Sequence, residues 1–279
     1  MSIYRNNTVA PSDQRDMQNI PQAYHISAST HEGATRRINE DNFVINGIVG
    51  LESGTSRSLR ASGIGEPLLC GVFDGTGGAD VGTAAARLAA EYATGLYQSY
   101  RENPTERERL VGRYVGECNA KILERYYNDG GRRGATTMVT ALINAGRLYA
   151  YSLGDSRLYY YTGGRLYLVT NDHTVAMERY RSGVYTREQA QHSPDRHKLT
   201  AFLGIEQANG ARAERYDAIE LKRGDSLVLC SDGLYGYLSD GEIAEALGGD
   251  GTDKACDLVD SAYTRGAKDN VTCIVVECL

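Results

Sequence analysis

The turns limit the fold class most. Four β-branched and aromatic runs follow one another: TTMVTALIN (136–144), RLYAYSLGD (147–155), RLYYYT (157–162) and RLYLVT (165–170). They are joined only by Asn144-Ala145-Gly146, Asp155-Ser156 and Gly163-Gly164. Parallel strands need a crossover of about a dozen residues or more, so these runs must pair antiparallel. Five more runs have the same character: AYHISAST (23–30), NFVINGIV (42–49), LLCGVFD (68–74), DSLVLCSD (225–232) and NVTCIVVEC (270–278). Helical spacing appears in two blocks. Between 79 and 127 it predicts two long helices. The first carries Val81, Ala85, Leu88, Ala89, Tyr92 and Leu96; the second starts near Pro104 and carries Leu110, Val111, Val115, Ala120 and Ile122. Two more fit at 239–247 and 252–265, with Ser239 and Glu242 spaced as a capping box. Antiparallel strands with helices in blocks predict an α+β fold, with sheets packed by helices on their faces.

The 279 residues, 41% of them hydrophobic, suffice for one large core. One domain is expected over 23–279, after a loose polar lead-in at 1–22. Gly50–Pro67 is small, polar and Gly-rich, and apolar strands flank both its ends. That predicts an exposed mobile loop inside a domain rather than a linker. The tyrosines at 149, 151, 159, 160, 161 and 167 are read as lining sheet faces rather than a binding platform.

Composition narrows the function classes. The net charge of −6, from 36 acidic and 30 basic residues, disfavours a diffuse nucleic-acid binder. No apolar run approaches the roughly 20 residues of a membrane span. The N-terminus lacks the apolar core of a secretion signal, so a cytoplasmic location is expected. None of the six cysteines sits in a C-x-x-C pair, and they read as small reduced core residues rather than zinc or redox sites.

The chemistry gathers at strand ends. LLCGVFD ends in Asp74-Gly75, DSLVLCSD in Asp232-Gly233 and RLYAYSLGD in Asp155. Glu40-Asp41 opens the second strand and Asp269-Asn270 the last. Any one of these is an ordinary turn or cap residue. Brought together, carboxylates repel one another unless cations neutralise them, and hard divalent ions take such oxygen ligands. Glu40, Asp74, Asp232 and Asp269 match the charge of two divalent ions. Two ions about 4 Å apart can activate water against a phosphoryl group. Whether these acids meet in space is not decided by spacing.

Eight segments in order bear on that step: R-R-I-N-E-D-N (36–42), V-F-D-G-T-G-G (72–78), G-A-T-T (134–137), L-G-D-S-R (153–157), N-D-H-T (171–174), L-T-A-F-L-G (199–204), S-D-G-L (231–234) and K-D-N-V-T (268–272). Together they resemble the protein phosphatase 2C family of metal-dependent serine/threonine phosphatases, most closely its bacterial branch. The resemblance implies a sandwich of two antiparallel β-sheets flanked by helices, in α-β-β-α layers. It implies that Asp74 bridges two Mn²⁺ or Mg²⁺ ions. Glu40 and the Gly75 carbonyl complete one, and Asp232 and Asp269 the other. Asp41 would lie just behind, and Asp155 would help hold a weak third ion. Arg36 stands where the family places a phosphate-binding arginine, with Arg37 the adjacent alternative. The implied reaction is hydrolysis of phosphoserine and phosphothreonine in proteins by a metal-activated water, without a covalent phosphoenzyme. The implied partners are phosphorylated proteins and an opposing Ser/Thr kinase, and a monomer is expected.

No Cys lies in a C-x₅-R loop, so a thiolate mechanism is excluded at motif level. Thr76 stands where many eukaryotic members carry a His proposed as general acid, and a Thr hydroxyl is too weak an acid for that task. The stretch 173–204 resembles the bacterial flap segment beside the active site. It reads equally as a mobile substrate-selecting element or as an exposed helical excursion packed by Val175, Met177 and Tyr180. His173, His192 and His197 in it are weak proton-donor candidates. A catalytically inactive phosphatase-like binding module is the alternative, disfavoured because all four expected carboxylates are present.

Overall fold

The strand-like runs pair into two antiparallel sheets that stack face to face. The computed structural model describes residues 19–50, 57–63, 67–128, 133–206 and 211–279. The lead-in expected at 1–22 falls mostly outside them. One sheet has the order β11-β10-β14-β15-β1-β4: β1 (Tyr24–His31), β4 (Arg57–Gly63), β10 (Arg157–Thr162), β11 (Arg165–Leu168), β14 (Ser226–Cys230) and β15 (Val271–Cys278). The other has the order β12-β9-β8-β5-β2-β3, with β13 also on β9: β2 (Asn42–Ile45), β3 (Ile48–Val49), β5 (Leu68–Phe73), β8 (Met138–Asn144), β9 (Arg147–Leu153), β12 (Glu214–Arg215) and β13 (Ile219–Glu220). A short pair, β6 (Gly75–Thr76) and β7 (Ala135–Thr136), lies apart from both.

Alternation along β15 explains the layering. Ile274, Val276 and Cys278 point between the sheets, where they meet Ile26, Phe43, Cys70, Val72 and Val139. Val271, Cys273 and Val275 point outward beneath α6 (Asp240–Gly248) and α7 (Lys254–Thr264). Val44, Leu69, Phe73 and Leu142 carry α1 (Ala79–Glu102) and α2 (Arg107–Asn128) on the opposite face. Each sheet therefore buries both faces, which gives four layers in the order α-β-β-α, as expected. Ser239 caps α6 in a capping box with Glu242. All six cysteines are free, and Cys70, Cys118, Cys230, Cys273 and Cys278 are buried.

Several boundaries differ from the sequence reading. The run 42–49 is a hairpin rather than one strand, because Asn46 (φ 50°) and Gly47 (φ 81°) form a left-handed two-residue turn. Pro104 starts a 3₁₀ turn (Pro104–Glu106), and α2 follows from Arg107. Within Gly50–Pro67, residues 57–63 form β4, paired along the length of β1; the loop expectation is corrected there. Its backbone completes the open edge of β1, which apolar patterning alone does not reveal. Residues 51–56 and 64–66 lie outside the described residues. Among the tyrosines, Tyr151, Tyr159 and Tyr160 are buried in the sheets, and only Tyr167 is exposed. No helix among the described residues is long and apolar enough to cross a membrane.

Candidate metal and phosphate site

The sandwich brings the strand-end acids to one edge. Glu40 and Asp41 precede β2, Asp74 follows β5 and Asp155 follows β9 in one sheet. Asp269 precedes β15, and Asp232 opens the short helix α5 (Asp232–Tyr235) after β14 of the other. A cavity of about 370 Å³ between them is lined by Arg36, Glu40, Asp74, Gly75, Thr76, Asp155, Asp232 and Asp269, among others. Asp41 lies behind this lining and is buried, while Arg37 is exposed and away from it.

Backbone fit sets the positions. A Cβ on Gly75 would collide with the carbonyls of Glu40 and Gly82, and a Cβ on Gly82 with Glu40 Oε2. The Glu40 carboxylate thus lies directly against the first turns of α1. The Asp74 amide donates to Thr137 Oγ1 (3.0 Å), and its carbonyl accepts from the Thr137 amide (2.9 Å) and the Thr136 hydroxyl (3.0 Å). The Glu40 amide donates to Asn270 Oδ1 (2.8 Å), while Asn270 Nδ2 donates to the carbonyls of Glu32 and Ile38 (2.9 Å each). Asn270 therefore joins the Glu40 segment to the start of β15. The Tyr235 hydroxyl donates to the Asp155 carbonyl (3.0 Å). Arg36 Nη2 donates to Asp269 Oδ2 (2.9 Å), and His197 Nδ1 stands 3.5 Å from Asp232 Oδ2.

The shared cavity raises the acids' proton affinity. Burial, with Asp41, Asp232, Asp155 and Asp269 nearby, pushes Asp74 well above the usual carboxylate range. Burial and Asp232 push Asp155 up to about 8. Burial pushes Asp41 up to about 7 against the hydroxyls of Thr272 and Ser231, which favour its charged form. Glu40 is also raised, by burial first, with Arg36 opposing. The hydrogen bond with Asp232 raises His197.

As the side chains stand, no three of His, Cys, Asp and Glu among the described residues are arranged to hold an ion. Two of the acids have cationic or ionisable neighbours, Asp269 in Arg36 and Asp232 in His197. The donor set nevertheless fits hard divalent ions. It is all oxygen and strongly anionic, and one buried oxygen, Asp41 Oδ1, accepts no hydrogen bond.

The flap expected at 173–204 contains α3 (Val175–Arg181), α4 (Arg187–His192) and a 3₁₀ turn at Pro194–His197. Both its ends are pinned: the Thr200 amide donates to the His173 carbonyl (2.9 Å), and the Leu203 amide to the Thr136 carbonyl (2.9 Å). Val175 and Met177 are half-buried, but Tyr180 is exposed, so the packing expected of Tyr180 is corrected; Ala176 and Ala190 are the buried residues of α3 and α4. Of the three histidines, only His197 lines the cavity. His173 is satisfied on both ring nitrogens, with Nδ1 accepting from the Gly154 amide (3.0 Å) and Nε2 2.7 Å from Glu214 Oε2. His192 is exposed. Sequence reading gave no role to Gly82, Thr137, Ser231 or Asn270. The last three stand inside G-A-T-T, S-D-G-L and K-D-N-V-T, and that membership was the available signal. Gly82 carried none.

Comparison with known proteins agrees with this architecture. The profile of the protein phosphatase 2C family matches residues 61–269. A serine/threonine phosphatase of Listeria innocua is 27% identical over 258 residues, spanning 91% of this chain and 95% of its own. The structure of a serine/threonine phosphatase of S. agalactiae superposes with a TM-score of 0.78 at 28% identity, covering 92% of this chain and 100% of that one. The catalytic domain of the serine/threonine phosphatase PstP, solved with two manganese ions, superposes with a TM-score of 0.72 at 25% identity, covering 91% and 98%. From its fold, its strand-end acids and these matches, the chain belongs to the protein phosphatase 2C family, in its bacterial form.

Proposed function

We propose that the chain hydrolyses phosphoserine and phosphothreonine in proteins, in opposition to a Ser/Thr kinase, using divalent metal ions and water without a covalent phosphoenzyme. The observation that carries this reading is one cavity lined by Glu40, Asp74, Asp155, Asp232 and Asp269 together with Arg36. Glu40, Asp74 and the Gly75 carbonyl would hold one Mn²⁺ or Mg²⁺ ion, and Asp74, Asp232 and Asp269 the other. Asp155 would help hold a weaker third. Such ions, when bound, lower the pKa of a water and draw charge off phosphoryl oxygens.

The chain's own groups supply the rest. Arg36 is half exposed beside Asp269, so its planar fork is free to turn onto two phosphoryl oxygens. Gly75, Thr76, Gly77 and Gly78 line the cavity with little side-chain bulk, which leaves room for a phosphorylated side chain. Thr76 is exposed there and is not a proton donor in this scheme. None of the buried cysteines lines the cavity.

The test is hydrolysis of para-nitrophenyl phosphate and of a phosphothreonine peptide with Mn²⁺, Mg²⁺ or EDTA, beside Asp232→Asn. Metal-dependent turnover lost in EDTA and in the variant is the expected result. A folded chain that binds metal without turnover would instead be a binding module.

A further inference from the structure

Behind the cavity, a chain of buried polar groups ends on Asp41. The Asn39 side chain begins it: Oδ1 accepts from the Asp41 amide (3.0 Å), so Nδ2 is the atom that donates to Thr30 Oγ1 (2.7 Å). Thr30 Oγ1 lies 2.7 Å from Thr272 Oγ1, which lies 2.7 Å from Asp41 Oδ2. Each hydroxyl has one proton to give. With Asp41 ionised, all three contacts are hydrogen bonds only if Asn39 donates to Thr30, Thr30 to Thr272, and Thr272 to Asp41. Ser231 supplies a second donor to the same oxygen (2.7 Å), and its own oxygen accepts from the Thr272 amide (3.0 Å). All these residues are buried: Thr30 5% exposed, Asn39 4%, Asp41 6%, Ser231 0% and Thr272 0%.

The result is asymmetric. Oδ2 of Asp41 carries two donated hydrogen bonds, while Oδ1 is buried and carries none. Leaving a buried carboxylate oxygen without a donor is costly unless another partner satisfies it. The cradle also joins the segments that bear the candidate ligands. Asn39 precedes Glu40, Ser231 precedes Asp232, and Thr272 stands three residues after Asp269.

We propose that Ser231 and Thr272, backed by Thr30 and Asn39, are positioning residues for the metal centre: they hold Asp41 by one oxygen so that the other is kept for the metals' coordination sphere, and they fix the spacing of Glu40, Asp232 and Asp269. This rests on the metal-centre reading given above. It assigns the affinity of the site to hydroxyls that touch neither metal nor substrate. Groups that orient a metal site from outside in this way are commonly worth 10- to 100-fold in affinity.

The experiment is Mn²⁺ titration of the full chain by calorimetry, with melting temperature recorded in EDTA. Wild type is compared with Thr272→Val, Thr272→Ser and Ser231→Ala. Thr272→Val should bind Mn²⁺ at least about 10-fold more weakly, Thr272→Ser should restore most of the affinity, and Ser231→Ala should weaken it in the same direction. Should Thr272→Val not fold, the smaller Ser231→Ala change decides. A lowered melting temperature with wild-type Mn²⁺ affinity in the folded variants overturns the proposal, since the hydroxyls would then serve stability alone. Failure of wild type itself to bind Mn²⁺ overturns the metal-centre reading and this proposal with it.

Discussion

Arg36 and Asp269 form an ion pair beside the cavity, Nη2 to Oδ2 at 2.9 Å, with side chains 50% and 44% exposed. A pair this open contributes little to folding, because water screens it and two long side chains must be ordered to form it. Both residues line the cavity, where the proposed reading has Arg36 bind the phosphoryl group. Arg36→Ala should leave the melting temperature within about 2 °C of wild type, in line with a surface-pair loss of at most about 0.5 kcal/mol. It should lower kcat/KM for a phosphothreonine peptide about 100-fold, roughly 2.7 kcal/mol. Arg36→Lys should recover only part of this, because an ammonium lacks the planar fork. Steady-state kinetics beside thermal melts check both halves.

Gly82 faces the Glu40 carboxylate, and a Cβ there would collide with Oε2. Elsewhere in a helix, Gly→Ala stabilises by about 0.5–1 kcal/mol. Here that gain is set against displacement of the buried Glu40 carboxylate and a close approach to the Gly75 backbone. Gly82→Ala should therefore fold with a melting temperature in EDTA close to wild type and lose at least about 10-fold in Mn²⁺-dependent turnover. Wild-type turnover would show that the position of Glu40 does not matter.

Thr76 occupies the cavity wall and pairs with Ala135 through β6 and β7. Its hydroxyl is not acidic enough to protonate a leaving group. Thr76→Ala should change kcat by less than about 30-fold, some 2 kcal/mol. A larger loss, measured with peptide substrate at saturating metal, would assign this side chain a role in the reaction.

Glu214 is held below the usual carboxylate range, at about 2, chiefly by its hydrogen bond with His173 and further by those with Asn171 and Tyr216, against the burial that would raise it. A lowered folded-state pKa means the charged form stabilises the fold. The contribution is fully present above the unfolded value near 4.5 and is lost as pH falls through about 2. The Glu214 side chain is 35% exposed, so screening reduces the contribution to about 1 kcal/mol. Glu214→Gln should lower stability by about that amount at pH 7, and the difference should shrink between pH 4.5 and pH 2. Urea unfolding at several pH values measures it. A constant difference across that window would mean that charge at Glu214 is not the source.

The strands show how far sequence carries. Runs such as DSLVLCSD and NVTCIVVEC alternate between two apolar environments, which requires both sheet faces to be covered, and the short turns require antiparallel order. The 42–49 run hid its Asn46-Gly47 turn because apolar residues continue on both sides. Residues 57–63 lack the apolar pattern of a strand and become one by pairing with the open edge of β1.

The candidate site divides in the same way. The chain alone determined which acids stand at strand ends, which glycines flank them, and that Arg36 lies four residues before Glu40. Those are local properties of spacing and type. Only the tertiary structure decided that acids from two different sheets share one cavity, that Gly82 makes room for Glu40, and that Thr30 and Thr272 join in the relay ending on Asp41. These pairings join residues far apart in sequence; Thr30 and Thr272 are separated by 242 positions. The contact between them exists because β1 and β15 pair in a register that sets Thr30 opposite Thr272, and strand register is fixed by the burial of whole sheet faces rather than by any local motif.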